Sequence, residues 1–139
     1  MNYFRRRSIL KKANFLELIP VRVLGHTVCD NGGVRLLMPR FRNRFSARLF
    51  QPRSKDGFIR IRLDRFGSRV WELTDGRSSV GEITERLCER FPAELPPGDE
   101  TIERVTGFFS MLYQQRYISF REIMDENGSE RQINREELR

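Results

Sequence analysis

The chain has 139 residues, of which 38% are hydrophobic and 32% are charged, and this balance indicates one modest core with polar extensions. Its 11 Phe, 3 Tyr and 1 Trp exclude a chain that is disordered throughout. The sequence contains no run of 18 apolar residues, which excludes a membrane-spanning helix, and we expect a cytoplasmic protein.

The charge is divided unevenly along the chain. Residues 1–63 carry 15 Lys or Arg and 3 Asp or Glu, a net charge of +12, whereas residues 64–139 carry 11 and 16, a net charge of −5. The basic half therefore suits an acidic partner. Nucleic acid, anionic lipid and an acidic peptide all meet that description, so charge alone leaves the choice among them open.

The composition divides the chain into three parts. Residues 1–20 are a basic arm, residues 21–120 are the folded domain, and residues 121–139 are a polar tail that we expect to be frayed or disordered. Within the domain, residues 39–57 form a basic insertion whose apolar residues have helical spacing. The basic patch of this insertion consists of Arg40, Arg42, Arg44 and Arg48.

A β-hairpin is predicted before the insertion. The sequence is typical of a strand from Val21 to Cys29, and Asn31-Gly32 marks the turn, because both residues accept positive φ. The returning strand covers residues 34–38.

A third strand is predicted after the insertion, where apolar and basic residues alternate over residues 58–63. One face of this half-buried strand is apolar and consists of Ile59, Ile61 and Leu63. The outward face is cationic and aromatic and consists of Phe58, Arg60 and Arg62.

Three helices follow the third strand. The first covers about residues 65–74, with Asp64 as its N-cap and Gly76 at its left-handed exit. The second begins at a capping box formed by Ser79 and Glu82. Each of these helices carries an apolar stripe at helical spacing, which predicts that they pack together.

The third helix covers about residues 99–115, and residues 117–120 form a closing strand. No single helix buries enough apolar surface alone, so the three helices must pack on one another and on the sheet. The sequence therefore predicts an α+β, winged-helix-like domain, in which a three-stranded antiparallel β-sheet is followed by a three-helix bundle.

A series of residues from the third strand to the second helix has a distinctive order and spacing. These residues are Leu63-Asp64, Gly67, Val70-Trp71, Leu73, Asp75-Gly76, Val80, Glu82-Ile83 and Leu87. Their order resembles that of the PqqD family. With Phe108-Phe109, Leu112 and Tyr117-Ile118, the resemblance covers about 60 of the 139 residues.

The resemblance implies a recognition domain for ribosomally made peptides that are later modified. In such domains a leader peptide adds as an antiparallel strand to the third strand, beside the third helix. A radical-SAM or similar enzyme then modifies the delivered peptide. The peptide-binding residues that the resemblance implies are Phe58, Ile59, Arg60, Ile61 and Arg62 of the third strand and Arg104, Phe108 and Met111 of the third helix.

The sequence offers little from which an active site could be built. His26 is the single histidine, and Cys29 and Cys88 lack the spacing of a zinc site. Trp71 belongs to a helix stripe, which is typical of a core residue. We therefore expect a protein that is not an enzyme, with no catalytic residue, no metal and no cofactor.

The alternative function is that of a winged-helix nucleic-acid-binding protein that uses the basic region 1–63. Glu100 and Glu103 lie in the first turns of the third helix, where they would repel phosphate, so this alternative is less favoured. A membrane-surface or purely structural role is a third hypothesis. A second copy of the chain can also pair with an outer strand, so a homodimer stays open.

Overall fold

The computed structural model describes residues 15–39 and 57–124. The described residues form β1 (Pro20–Arg22), β2 (Gly25–Val28), β3 (Val34–Pro39), β4 (Phe58–Arg62), α1 (Arg65–Leu73), α2 (Val80–Arg90), α3 (Asp99–Gln114) and β5 (Ile118–Phe120). Strands β2, β3 and β4 form a three-stranded antiparallel sheet that precedes the three helices. The predicted α+β class is therefore confirmed.

The chain divides into two compact units. One unit comprises Leu24–Trp71, and the other comprises the residues on either side of that segment, so the division falls within α1. The first unit contains the three-stranded sheet, and the second contains β1, α2, α3 and β5. The predicted division of the chain into arm, domain and tail stays a prediction, because residues 1–14 and 125–139 lie outside the described residues.

The predicted hairpin is present as β2 and β3, and its loop has three residues. Cys29 N donates to Gly33 O at 2.7 Å, and Gly32 N donates to Cys29 O at 2.9 Å. Gly32 adopts a φ of 84°, as the last residue of such a loop requires, whereas the positive φ predicted for Asn31 does not occur. Instead, Asn31 Oδ1 accepts a hydrogen bond from Gly33 N at 3.0 Å.

The strand predicted from Val21 to Cys29 is interrupted. Strand β1 pairs antiparallel with β5, and Pro20 lies opposite Phe120. Val23 N donates to Tyr117 O at 3.0 Å. The prediction of one continuous strand is therefore wrong, because its first residues belong to a second sheet that the two ends of the domain form together.

Helix α1 begins at the predicted cap. Asp64 Oδ1 accepts a hydrogen bond from Gly67 N at 2.7 Å, which satisfies a backbone donor of the first turn. Trp71 is fully buried, as predicted for a core residue. The ring of His26 meets the Trp71 ring edge-on, with 6.1 Å between ring centroids.

Helix α2 begins at the predicted capping box. Glu82 N donates to Ser79 Oγ at 3.1 Å, and Ser79 N donates to Glu82 Oε1 at 3.4 Å. The apolar stripes predicted for α2 and α3 are buried, except that Phe91 and Ile102 at their ends are half-buried. Their fully buried residues are Val80, Ile83, Leu87, Val105, Phe109 and Leu112.

Residues 15–20, predicted as the end of the basic arm, are part of the unit that contains α2. The carbonyl oxygens of Leu18 and Leu16 accept hydrogen bonds from Val80 N and Gly81 N, each at 2.9 Å. A β-carbon at position 81 would lie 3.2 Å from Leu16 O, so glycine permits the close approach. The main chain of this segment therefore completes the N-terminus of α2.

The predicted tail begins later than residue 121. Residues 121–124 are helical, and Ile123 is buried. Ile19 N donates to both carboxylate oxygens of Glu122 at 3.2 Å, and Arg121 donates from Nε and a terminal guanidinium nitrogen to Gly76 O. These four residues of the predicted polar tail are therefore helical, whereas residues 125–139 lie outside the described residues.

Asp75 organises the loop between α1 and α2. Its Oδ1 accepts hydrogen bonds from the backbone N–H groups of Arg77 and Ser78, each at 2.8 Å, and its Oδ2 accepts the Ser78 hydroxyl at 3.2 Å. The next residue, Gly76, has the predicted left-handed conformation, with a φ of 79°. The backbone donors stabilise the carboxylate and therefore lower the pKa of Asp75.

We expect Asp75→Ala to lower the free energy of unfolding by about 1–2 kcal/mol at neutral pH, because two backbone donors lose their acceptor. Asp75→Asn keeps an acceptor and should cost less. Since the native pKa of Asp75 lies below the unfolded value, the contribution of its charge is complete above the unfolded pKa and is lost as the pH falls through the native pKa. Urea titrations of the wild type and both variants across acidic pH measure this.

The matched control for this prediction is Glu85→Gln, because Glu85 is exposed on α2. This control should change the free energy of unfolding by less than about 0.5 kcal/mol. A difference between the wild type and Asp75→Asn that widens toward low pH would contradict the prediction.

Candidate functional site

Strand β4 is the outer strand at one side of the sheet, since the order of the described strands is β2-β3-β4. Leu63 N donates to Val34 O at 2.9 Å, and these residues are the next pair in the β3–β4 register. Hydrogen-bonded and non-hydrogen-bonded pairs alternate in an antiparallel ladder, so Ile59 and Ile61 direct their backbone N–H and C=O groups toward β3. The residues that direct these groups away from β3 are Phe58, Arg60 and Arg62.

The side chains of β4 also alternate between two faces. On the apolar face, Leu63 is buried and Ile61 is half-buried, opposite the fully buried Leu36 of β3. Ile59 lies on the same face but is 37% exposed, opposite Met38. The strand is therefore buried only toward its C-terminal end, and its first half presents apolar surface.

The other face of the sheet is cationic. Arg62 of β4 lies directly opposite Arg35 of β3, and Arg60 lies opposite Leu37. All three arginines are exposed, and Phe58 on the same face is 37% exposed. We call Arg35, Arg60 and Arg62 the arginine row. Like charges on directly opposite residues destabilise a sheet, so the row costs the folded state some stability.

Arg35 belongs to the arginine row but is not among the residues predicted from the sequence. The alternation Val34-Arg35-Leu36 could have placed it on the outward face, because both flanking residues are buried. The pairing of Arg35 with Arg62 could not have been found in this way. The connection over residues 40–57 is too long to fix the register of β4 against β3.

The predicted residues of the third helix lie on one side of α3. Arg104, Phe108 and Met111 are spaced four and three residues apart, which places them on neighbouring turns of the same face. Arg104 is exposed, Phe108 is half-buried and Met111 is 40% exposed. These residues belong to the unit that contains α2, whereas β4 belongs to the other unit. That the residues of α3 and those of β4 contact the same peptide stays a prediction.

Other predicted features have separate outcomes. The basic patch formed by Arg40, Arg42, Arg44 and Arg48 lies outside the described residues. Cys29 and Cys88 are free, half-buried thiols. Over residues 15–39 and 57–124, no three His, Cys, Asp or Glu side chains come together as a metal site would require. No helix in those same residues has the length and apolar character needed to cross a membrane.

A three-stranded antiparallel sheet followed by three helices defines a small α+β domain of the winged-helix-like class. Residues 49–118 match the family described as coenzyme PQQ synthesis protein D (PqqD). The match covers 70 of the 139 residues, so the chain belongs to the PqqD family, and the resemblance seen in the sequence is confirmed. No curated protein and no solved structure matched the chain. Family membership supports an accessory, peptide-binding role associated with PQQ synthesis.

We expect Arg35→Glu to raise the free energy of unfolding by about 0.5–1 kcal/mol, because an opposite-charge pair replaces a like-charge pair across the two strands. The gain should shrink as salt is added. Urea titrations at low and high ionic strength measure both effects.

The same substitution in an Arg62→Gln background provides the control. There the gain from Arg35→Glu should largely disappear, because its partner has lost its charge. An equal gain in both backgrounds would show that the pair Arg35–Arg62 does not interact.

Proposed function

We propose that this chain is a non-catalytic protein that binds a precursor or leader peptide as an added strand along β4. It presents this peptide to a modifying enzyme such as a radical-SAM maturase. The observation that carries the proposal is the position of β4: among the described strands it has β3 as its one neighbour, and three of its residues direct backbone groups away from β3.

Strand addition explains how affinity and specificity would be divided. The outward N–H and C=O groups of Phe58, Arg60 and Arg62 would form main-chain hydrogen bonds with any extended peptide, so they give affinity with little dependence on sequence. Side chains at alternate positions of the peptide would meet the two faces of the sheet, so they give specificity.

The chemistry of β4 favours binding over catalysis. Its side chains are apolar, aromatic or guanidinium groups, and arginine remains charged over the whole physiological pH range. Such groups hold and orient a ligand, whereas acid–base catalysis needs groups that exchange protons near neutral pH. Membership of an accessory binding family supports the same conclusion.

Helix α3 is the proposed second contact of the peptide. Phe108 and Met111 would offer apolar surface, and Arg104 would offer a positive charge on the same side of the helix.

A second copy of the chain is the competing occupant of β4, since an outer strand pairs with any compatible strand. If a second copy occupied β4, the apparent Kd for the peptide would rise with the total protein concentration. An apparent Kd that stays constant would exclude pairing between two copies at β4.

The decisive variant is Arg60→Pro, because proline lacks the N–H that residue 60 directs away from β3. Peptides enriched from a displayed library of random 12-residue sequences against the full-length wild type serve as probes. We expect Arg60→Pro to weaken their binding at least about tenfold, since it removes a main-chain hydrogen bond and disturbs the neighbouring ones. Fluorescence anisotropy with the labelled peptides measures the affinity.

Two control variants separate the loss of the Arg60 N–H from the loss of the Arg60 side chain and from a general effect of proline in the sheet. Val28→Pro removes an N–H that β2 directs away from β3 at the opposite side of the sheet, and Val28 is 61% exposed. This variant should bind like the wild type. Arg60→Ala keeps the N–H and should lose less affinity than Arg60→Pro. If the library yields no binder, or if the enriched peptides bind folded Arg60→Pro as tightly as the wild type, strand addition at β4 is wrong.

A further inference from the structure

We infer that the peptide held along β4 carries carboxylates and aliphatic residues at alternate positions, and that Arg60 and Arg62 of the arginine row bind the carboxylates. This inference rests on the proposed function and specifies its ligand. The preferred segment has five residues. For a peptide that pairs antiparallel with β4, their order from the N-terminus is acidic, aliphatic, acidic, aliphatic and aromatic. For a parallel peptide the order is reversed.

The pattern follows from the two faces of β4. In either direction of pairing, successive side chains of an added strand point to opposite faces. The positions beside Arg60 and Arg62 therefore fall on the cationic face, two residues apart. The positions beside Ile59 and Ile61 fall on the opposite face, where Ile59 is exposed and Ile61 is half-buried.

The fifth position of the pattern comes from Phe58. This side chain lies on the cationic face at the start of β4 and is 37% exposed. A residue of the added strand beside it would meet aromatic surface, and aromatic pairs across strands are favourable. A third carboxylate is therefore not expected at that position.

Arg35 strengthens the preference for acid without touching the peptide. It lies on the far side of Arg62 from an added strand, about two strand spacings or ~10 Å away, which is comparable to the screening length at 0.1 M salt. Its positive charge raises the potential at the position beside Arg62. Since no carboxylate lies directly opposite Arg62 within the described sheet, an acidic residue of the peptide would supply one.

Terminally blocked, labelled nine-residue peptides with different central segments test the inference. The first segment is Glu-Val-Glu-Val-Phe. The second is its isomer Glu-Glu-Val-Val-Phe, which breaks the alternation at equal charge, and the third is Gln-Val-Gln-Val-Phe. At low salt we expect the first to bind the full-length protein about tenfold more tightly than the third, which lacks both exposed ion pairs. Against the second, which keeps the ion pair beside Arg62, we expect a difference of about fivefold. Reversed-order versions report the strand direction.

The double variant Arg60→Gln/Arg62→Gln should bind the Glu and Gln peptides equally, while it still binds both. The control Arg77→Gln/Arg90→Gln removes the same charge from exposed positions outside the sheet and should keep the preference. Arg35→Glu should reduce it about threefold, because the new carboxylate pairs with Arg62 and competes with that of the peptide.

The outcomes separate the inference from the proposed function. If every peptide binds alike and Arg60→Pro abolishes that binding, the proposed function stands and the acidic pattern is wrong. If neither the designed peptides nor a peptide enriched from the library binds, the proposed function and the acidic pattern are both wrong. If a 20-base-pair DNA duplex displaces the Glu peptide at lower concentration than the unlabelled peptide itself, the arginine row is a nucleic-acid surface and the inference is overturned.

Discussion

The register of β4 against β3 decides what the sheet presents outward. At the end of this ladder the reciprocal bond between Val34 and Leu63 is replaced by the hydroxyl of Ser68, which accepts from Val34 N at 2.9 Å and donates to Leu63 O at 3.4 Å. The Ser68 side chain of α1 therefore bridges the backbone of β3 and the residue that follows β4. A shift of the β3–β4 register by one residue would turn Arg62 toward the buried face and expose Ile61. The two Ser68 hydrogen bonds oppose such a shift, and the peptide proposal depends on the observed register.

The two ladders of the sheet agree with this register. The bond from Cys29 N to Gly33 O makes the odd-numbered residues of β3 direct their backbone groups toward β2. The even-numbered residues, including Leu36, then direct theirs toward β4, as the bond from Leu63 N to Val34 O requires independently. Strand β3 therefore pairs fully with both of its neighbours, and β4 is the outer strand of the described sheet.

The sequence predicts those parts of the fold whose determinants are local. Asp64, and Ser79 with Glu82, act as caps within one helical turn, and the alternation of residues 58–63 is visible in the letters themselves. The closing strand predicted over residues 117–120 is present as β5, but its partner β1 has three residues, too few for a period to appear. Their pairing joins the two ends of the domain, which no local pattern encodes.

The candidate site divides in the same way. Alternation could assign Arg60 and Arg62 to one face, but their relation to Arg35 depends on long-range register. The packing of Glu122 against the main chain of Ile19 likewise spans 103 residues of sequence. A polar carboxylate near the end of a domain is typical of a solvated tail, and only the folded chain brings a backbone donor to it.

The arginine row lowers the stability of the free protein only slightly, whereas in a complex it would have a larger effect on the binding free energy. Repulsion between exposed Arg35 and Arg62 costs at most about 1 kcal/mol, a small part of the roughly 5–15 kcal/mol that stabilises a typical domain. An added strand would cover one side of Arg60 and Arg62 and exclude water from their surroundings. Charge pairs strengthen as the local dielectric falls, whereas an unmatched arginine would lose hydration without a partner. Under the proposed function, the arginine row would therefore select against neutral or basic peptides more strongly than it destabilises the fold.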